Sequence, residues 1–337
     1  VNIEHDGVGV KVSDSSTVKI EDSRFENLGS ENGGAIFVEE TSSVTIDDSV
    51  FGTTTSAFDG GAITALDGST LTVNRSTFVN HISLGDGGTI YLEDSTLGLD
   101  NCTFGLSVSG GSGGHIRSWD TDNTLDSIVI IDSFFSDGTT GTGSGNNGGS
   151  LALQKVDLSL TGGTFSNNFS ADDGGAIALV NPGIVSLTSV TLKSNQAIDD
   201  GGAIDIANGT SVDLESCRFS ENDAAEHGGG VRMDGTDSVT MTDNEFVLND
   251  SGSTGGAARL ESIEVLTLLE NQYLSNTADE AGALFIWDVL DIVATGGNYC
   301  DNEAVVAEGG AVRIEGGGTS GSVWSNNIFN ENTASTD

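Results

Sequence analysis

The sequence predicts an all-β chain, folded as a single right-handed parallel β-helix of about twelve ~27-residue rungs with three short strands per rung. Three observations predict it. A Gly-Gly pair recurs every ~27 residues, from Gly33-Gly34 to Gly309-Gly310. A large residue recurs in step with it, mostly nine to eleven positions before the next pair. Between these landmarks apolar side chains alternate with polar ones, the period-2 mark of strands with one buried face. Composition agrees: 48 glycines and a single proline in 337 residues exclude collagen-like and proline-rich chains, and 36% hydrophobic residues can fill a core.

Each rung opens at its glycines. The motif reads Gly60-Gly61-Ala62-Ile63, Gly87-Gly88-Thr89-Ile90, Gly174-Gly175-Ala176-Ile177 and Gly201-Gly202-Ala203-Ile204, with weaker copies such as Ala281-Gly282-Ala283-Leu284 and a degenerate first one, Gly7-Val8-Gly9-Val10. Paired glycines suit a tight bend or a positive φ. The first strand follows, with inward pairs such as Ile36/Val38, Ile177/Leu179 and Ile204/Ile206. A second strand carries pairs such as Val44/Ile46, Leu71/Val73 and Val212/Leu214. The third carries the large residue: Phe25, Phe51, Phe78, Phe104, Phe135, Phe165, Leu192, Phe219, Phe246, Tyr273, Tyr299 and Phe329.

Like residues at like positions stack in register about 4.8 Å apart when the chain coils, whereas a sandwich has no need of identical strands at a fixed period. The crossover rule for parallel strands makes the coil right-handed. Three positions after the large residue stand Asn168, Asn195, Asn222, Asn249, Asn276, Asn302 and Asn332, expected as a structural asparagine ladder. Asn244, Asn271, Asn298 and Asn327 are expected to form a second one. Cys102 and Cys217 share a rung position with Ser23, Ser49 and Ser76 but lie four rungs apart, roughly 19 Å and too far to bridge. With Cys300 they are expected as buried free thiols.

Gly-Gly-Ala-Ile together with Phe-x-x-Asn resembles the paired repeat of the chlamydial polymorphic outer-membrane proteins and related surface proteins. The Gly-Gly half covers essentially the whole chain. The Phe/Tyr-x-x-Asn half runs from Phe165 onward, while Phe25 and Phe78 carry Asn27 and Asn80 one position early. The resemblance implies a surface-displayed β-helix used in adhesion or as a stalk rather than in catalysis.

Eleven basic against 51 acidic residues leave a net charge of −40, which repels nucleic acid and anionic membrane surfaces and suits salt-rich surroundings. No apolar run reaches the ~18 residues of a membrane span, so direct membrane insertion is not expected. Carboxylates gather in the turn before Gly-Gly, at Asp172, Asp173, Asp199 and Asp200. Two readings stand: a solvated acidic turn, or oxygen ligands for a structural Ca²⁺, with no other cofactor expected. The outward positions Phe37, Tyr91, Trp119, Phe285 and Trp287, with Arg232 and Arg259, form a candidate contact face, and Asp205 one rung before Arg232 reads as a surface ion pair. Two stretches break the ruler, Trp119 to Asn123 and the glycine-rich run Gly138 to Gly149, and loops on a rigid scaffold are where function tends to sit.

Catalysis finds thin support. Lyases and hydrolases on this scaffold need carboxylates clustered with a basic residue in one groove, and His5, His81, His115 and His227 fall on separate rungs. Residue 1 lies just before one Gly-Gly position and residue 337 just before the next would be due. The span of 1–337 is therefore expected to be one repeat domain, a segment of a longer array or a subunit that stacks end to end. The expected role is a non-enzymatic structural or adhesive element of a cell surface or extracellular filament. Its partners would be copies of itself or neighbouring repeats, surface glycans or cell-surface proteins. The alternative is a carbohydrate-binding or polysaccharide-degrading β-helix.

Overall fold

A computed structural model describes residues 9–143, 145–316 and 322–335. Of the degenerate first copy, Gly7 and Val8 lie outside the described residues, as does His5. The described rungs open as their glycines dictate, save one where Ala281 takes the positive φ (56°) itself. Gly201 sits at φ +64°, the left-handed region, and a Cβ on Gly202 would stand 2.1 Å from the carbonyl oxygen of Gly229 one rung on. The first glycine is needed for its dihedral angle and the second for its missing side chain.

The chain winds as a right-handed parallel β-helix of about twelve rungs. One twelve-stranded sheet runs from Val10–Val12 to Val312–Glu315, and a second from Thr17–Glu21 to Val323–Ser325. The third face holds the strands of the large residues, each paired in parallel with its counterpart one winding on. Register is strict: Ile36 pairs with Ile63, Ile63 with Ile90 and Ile90 with Ile116. Across the two insertions it holds as well, since Ile116 pairs with Leu151 and Leu97 with Ile128. Extra residues therefore leave the coil as loops rather than shifting the ladder.

The core is a set of stacked columns. Six phenylalanines from Phe25 to Phe165 lie nearly parallel at 4.6–4.7 Å between ring centroids. Leu192 interrupts the stack, which resumes from Phe219 to Phe329. Three residues beyond, each asparagine donates from Nδ2 to Oδ1 of the next: Asn168 to Asn195 at 2.9 Å, Asn195 to Asn222 at 3.0 Å, and so on through Asn249, Asn276 and Asn302 to Asn332. Their other Nδ2 hydrogens reach backbone carbonyls, such as those of Phe165 and Leu192. In the earlier rungs Thr54, His81, Ser107 and Gly138 occupy this column. Asn27 and Asn80 instead take positive φ (55° and 61°) and turn the strand, a conformation asparagine tolerates.

Two details differ from expectation. Asn298 does not join the second ladder; Gly297 holds that place, and its N–H donates to Asn327 Oδ1 at 2.8 Å, while Asn244 donates to Asn271 at 3.0 Å. The tyrosine at 299 sets the count, and Asn298 falls one position too late. Cys102 and Cys217 are buried in the column that also holds Ser76 and Ser133, but Cys300 lies beyond its aromatic residue on the outward side and is only half-buried.

Candidate functional site

On the outward side of the first sheet two columns of side chains run the length of the coil. The first aligns Phe37, Thr64, Tyr91, Arg117, Ala152, Ala178, Asp205, Arg232, Arg259 and Phe285. The second, two residues later in each strand, aligns Trp119 with Glu93 and Trp287 with Glu261. The five aromatic residues expected as an exposed contact face divide between these columns. Trp119 and Trp287 are 41% and 42% exposed, whereas Tyr91 and Phe285 are buried and Phe37 is half-buried.

Guanidinium groups pack on aromatic rings of both columns. Arg259 lies 5.3 Å from the Phe285 ring centroid and 5.5 Å from that of Trp287, and Arg117 lies 4.8 Å from that of Trp119. Arg259 is itself buried, held by Glu261 at 2.8 Å and by Thr254 Oγ1 at 2.9 Å, so it offers no free contact. Other large side chains are open to solvent instead, Phe58 and Phe134 among them. They occupy turn and outward positions that carry no repeating signal.

Arg232 is no rim residue either. It donates to Asp205 at 3.0 Å and lies 3.2 Å from Asp200 and 3.3 Å from Asp234. Asp205 is 3% exposed, so the expected surface pair is a buried one. Burial drives the Asp205 carboxyl well above the usual carboxylate range, with Arg232 opposing.

The carboxylates before Gly-Gly have a use that the sequence did not reveal. Asp173 Oδ1 accepts the N–H of Asp200 at 3.2 Å, and Asp200 Oδ1 accepts that of His227 at 3.1 Å. Asn32, Asp59, Asp86 and Asn147 do the same for the following rungs. The turn is thus a side-chain-to-backbone ladder. Asp172, Asp173 and Asp199 bring oxygens within 4.8 Å of one another, while Asp200 groups with Glu226 and His227. Burial, then the neighbouring Asp172, pushes Asp173 up to about 6; burial pushes Asp200 up to about 7 against the pull of Arg232.

Both insertions meet at one place. A cavity of about 180 Å³ opens over the small floor of Ala152 and Ala178. Arg117 and Trp119 flank it from the rung before, and Gly145 and Asn147 of the glycine-rich run close another side. Gln154 completes the lining. Arg117 Nε and Gln154 Oε1 have no hydrogen-bond partner. Arg117 Nε, 3.8 Å from Asp86 Oδ2, is turned from solvent. What the cavity offers is the indole of Trp119 among polar side chains, a lining that suits a small polar ligand with hydroxyl groups. Each insertion was visible as a break in the period, but their meeting across neighbouring rungs was not.

The histidines do other things. His81 Nδ1 bonds Thr54 Oγ1 at 2.6 Å and His115 Nδ1 bonds Ser150 Oγ at 3.1 Å; burial pushes both down to about 3 and keeps them neutral. His115 packs edge-on to Phe104 and Phe135. His227 bonds Thr254 Oγ1 at 2.9 Å and is pushed down to about 4 by burial and by Arg259.

Among known families, residues 1–104 are similar to the family model of the right-handed β-helix region. No curated protein and no solved structure matches the chain.

Proposed function

We propose that this β-helix is a non-enzymatic structural and adhesive element of a cell surface or extracellular filament. One observation carries the reading. The parallel register of the first two sheets runs unbroken through the described rungs, which makes a stiff rod about 5 nm long. The contact locus on that rod is the cavity between the insertions, with Trp119 as its exposed aromatic residue. The resemblance of the Gly-Gly-Ala-Ile and Phe-x-x-Asn repeats to chlamydial surface proteins supports the same role. The last described rung leaves Phe329 of the aromatic spine uncovered, and a further winding, from this chain or from a second copy, would bury it. Antibodies to the chain are expected to label intact source cells or their extracellular material. Labelling only after permeabilisation overturns the proposal.

A carbohydrate-binding role is the second reading, and the cavity favours it. On a glycan array the wild-type chain should then bind a defined saccharide, and Trp119→Ala should lose at least tenfold in affinity. Release of reducing ends from a polysaccharide would point to the enzymatic alternative instead.

A further inference from the structure

The turn that leaves Trp119 gathers three carboxylates at one corner of the coil, and a fourth opens the strand that follows. Asp94, from the rung before, and Asp120 and Asp122, from the insertion, bring one oxygen each within 4.8 Å of one another. Two oxygens on opposite sides of a Ca²⁺ with bonds of ~2.4 Å stand about 4.8 Å apart, so the three fit one coordination sphere.

Asp126 supplies the independent observation. It opens the strand Asp126–Ile131 on the inward side, in line with Ile128 and Ile130, and is only 8% exposed. Its Oδ2 has no partner, and the charges it faces are those of Asp94, Asp120 and Asp122. A buried carboxylate oxygen with no partner, under the charge of three further carboxylates, is unstable unless a cation joins them.

One cation is already there. Lys155 Nζ lies 2.8 Å from Asp120 Oδ2 and also reaches Asn123 Oδ1. A single ammonium leaves most of the charge of four carboxylates uncompensated. The loop meanwhile spends only part of each group's capacity. Asp120 Oδ1 accepts the N–H groups of Asp122 and Asn123, Asp122 Oδ1 accepts from Thr124, and Asp94 accepts from Thr121. Asp122 Oδ2 is left for another partner, and Asp120 Oδ2, which meets Lys155, keeps a second lone pair.

We infer that Asp94, Asp120, Asp122 and Asp126 bind a Ca²⁺ ion that ties the Trp119 insertion to the rung before it. Carboxylate oxygens at mixed heights around an irregular loop suit the flexible six-to-eight-fold sphere of Ca²⁺ better than the strict octahedron of Mg²⁺. The site is separate from the carboxylates at Asp172, Asp173 and Asp199, of which Asp172 and Asp173 accept the backbone amides of Gly145 and Asp200.

Calorimetric titration of the intact chain with CaCl₂, with thermal melting alongside, tests this. Heat and an upward melting shift are expected in the ~0.1–1 mM range of extracellular modules, with Mg²⁺ at least tenfold weaker. Tb³⁺ excited through the indole should emit, and Trp119→Phe should quench that emission while calorimetry still reports Ca²⁺ binding. Asp122→Asn and Asp126→Asn should each weaken binding at least tenfold, and both relieve repulsion, so they should fold without the ion. Asp172→Asn/Asp199→Asn should bind as the wild type does. No heat and no melting shift in the wild type overturns the inference. So does binding that survives in both Asp122→Asn and Asp126→Asn.

Discussion

Tyr273 stands in a column made mostly of phenylalanine, and its ring stacks on Phe246 and Tyr299 while its hydroxyl is buried without a partner. An unmade hydrogen bond at a buried hydroxyl costs about 1–3 kcal/mol, so Tyr273→Phe should stabilise the protein by about 1 kcal/mol in urea unfolding. A loss of stability would mean that the hydroxyl has a partner. Asp173 is the converse case, a group with a use and a penalty at once. Its Oδ1 holds the Asp200 amide, but its pKa of about 6 exceeds the ordinary 3.8 of an unfolded aspartate. The folded chain therefore keeps a proton that the unfolded chain releases, and stability falls as pH rises from about 4 to about 6. Asp173→Asn retains the acceptor oxygen and removes the charge. It should melt higher than the wild type at pH 8, with the gap closing toward pH 4. Equal melting temperatures at pH 8 would show that the carboxylate is fully compensated.

Strands and ladders act as elements because each rung supplies half of its neighbour's bonds. Asn222 donates to Asn249 Oδ1 and the Leu192 carbonyl, and accepts from the backbone N–H and the Nδ2 of Asn195. Asn222→Leu fits the volume but orphans those partners on both sides. It should cost at least about 3 kcal/mol, with faster amide exchange at Asn195 and its neighbours. A loss under about 1 kcal/mol would mean that water replaces the side chain and that the ladder is ornamental. This ladder was legible in the sequence because identical letters at one period must stack. So were the three strands, the aromatic spine and the column shared by Cys102 and Cys217. The outward face was not legible. Alternation says that Tyr91, Phe285 and Arg259 point away from the core, but not that they are buried there, Phe285 beneath the Arg259 guanidinium. Nor does spacing show that an aspartate before Gly-Gly accepts an amide from the next rung, since the bond crosses windings and Asn, Asp or Ser fills the position equally well. The corner at Asp94, Asp120, Asp122 and Asp126 escaped for the same reason, its members belonging to a turn of irregular length and to the rung before it.

At the scale of the whole molecule the charge is distributed in a particular way. Every one of the four lysines and seven arginines lies within 4.0 Å of a carboxylate. With 51 acidic residues against 11 basic ones, the remaining carboxylates have no basic partner left to take. Added salt acts on both populations. It weakens exposed pairs such as Lys193–Glu221, which are worth about 0–1 kcal/mol each, and it screens the mutual repulsion of the surplus. The surplus wins on number and on range. Neighbouring rungs stand ~4.8 Å apart, so outward carboxylates in one column lie inside the ~10 Å screening length of 0.1 M salt but outside the ~3 Å length of 1 M. Stacked charges of one sign are thus largely unscreened in dilute buffer and largely screened in molar salt. The midpoint of thermal unfolding should rise by several degrees from ~0.1 to ~1 M NaCl, most of it gained by ~0.5 M as the screening length falls below the rung spacing. Sodium sulfate would also strengthen burial of apolar groups, so NaCl is the salt to use. A flat or falling midpoint would mean that the exposed pairs outweigh the unpaired carboxylates, and that the acidity serves bound cations rather than solution ions.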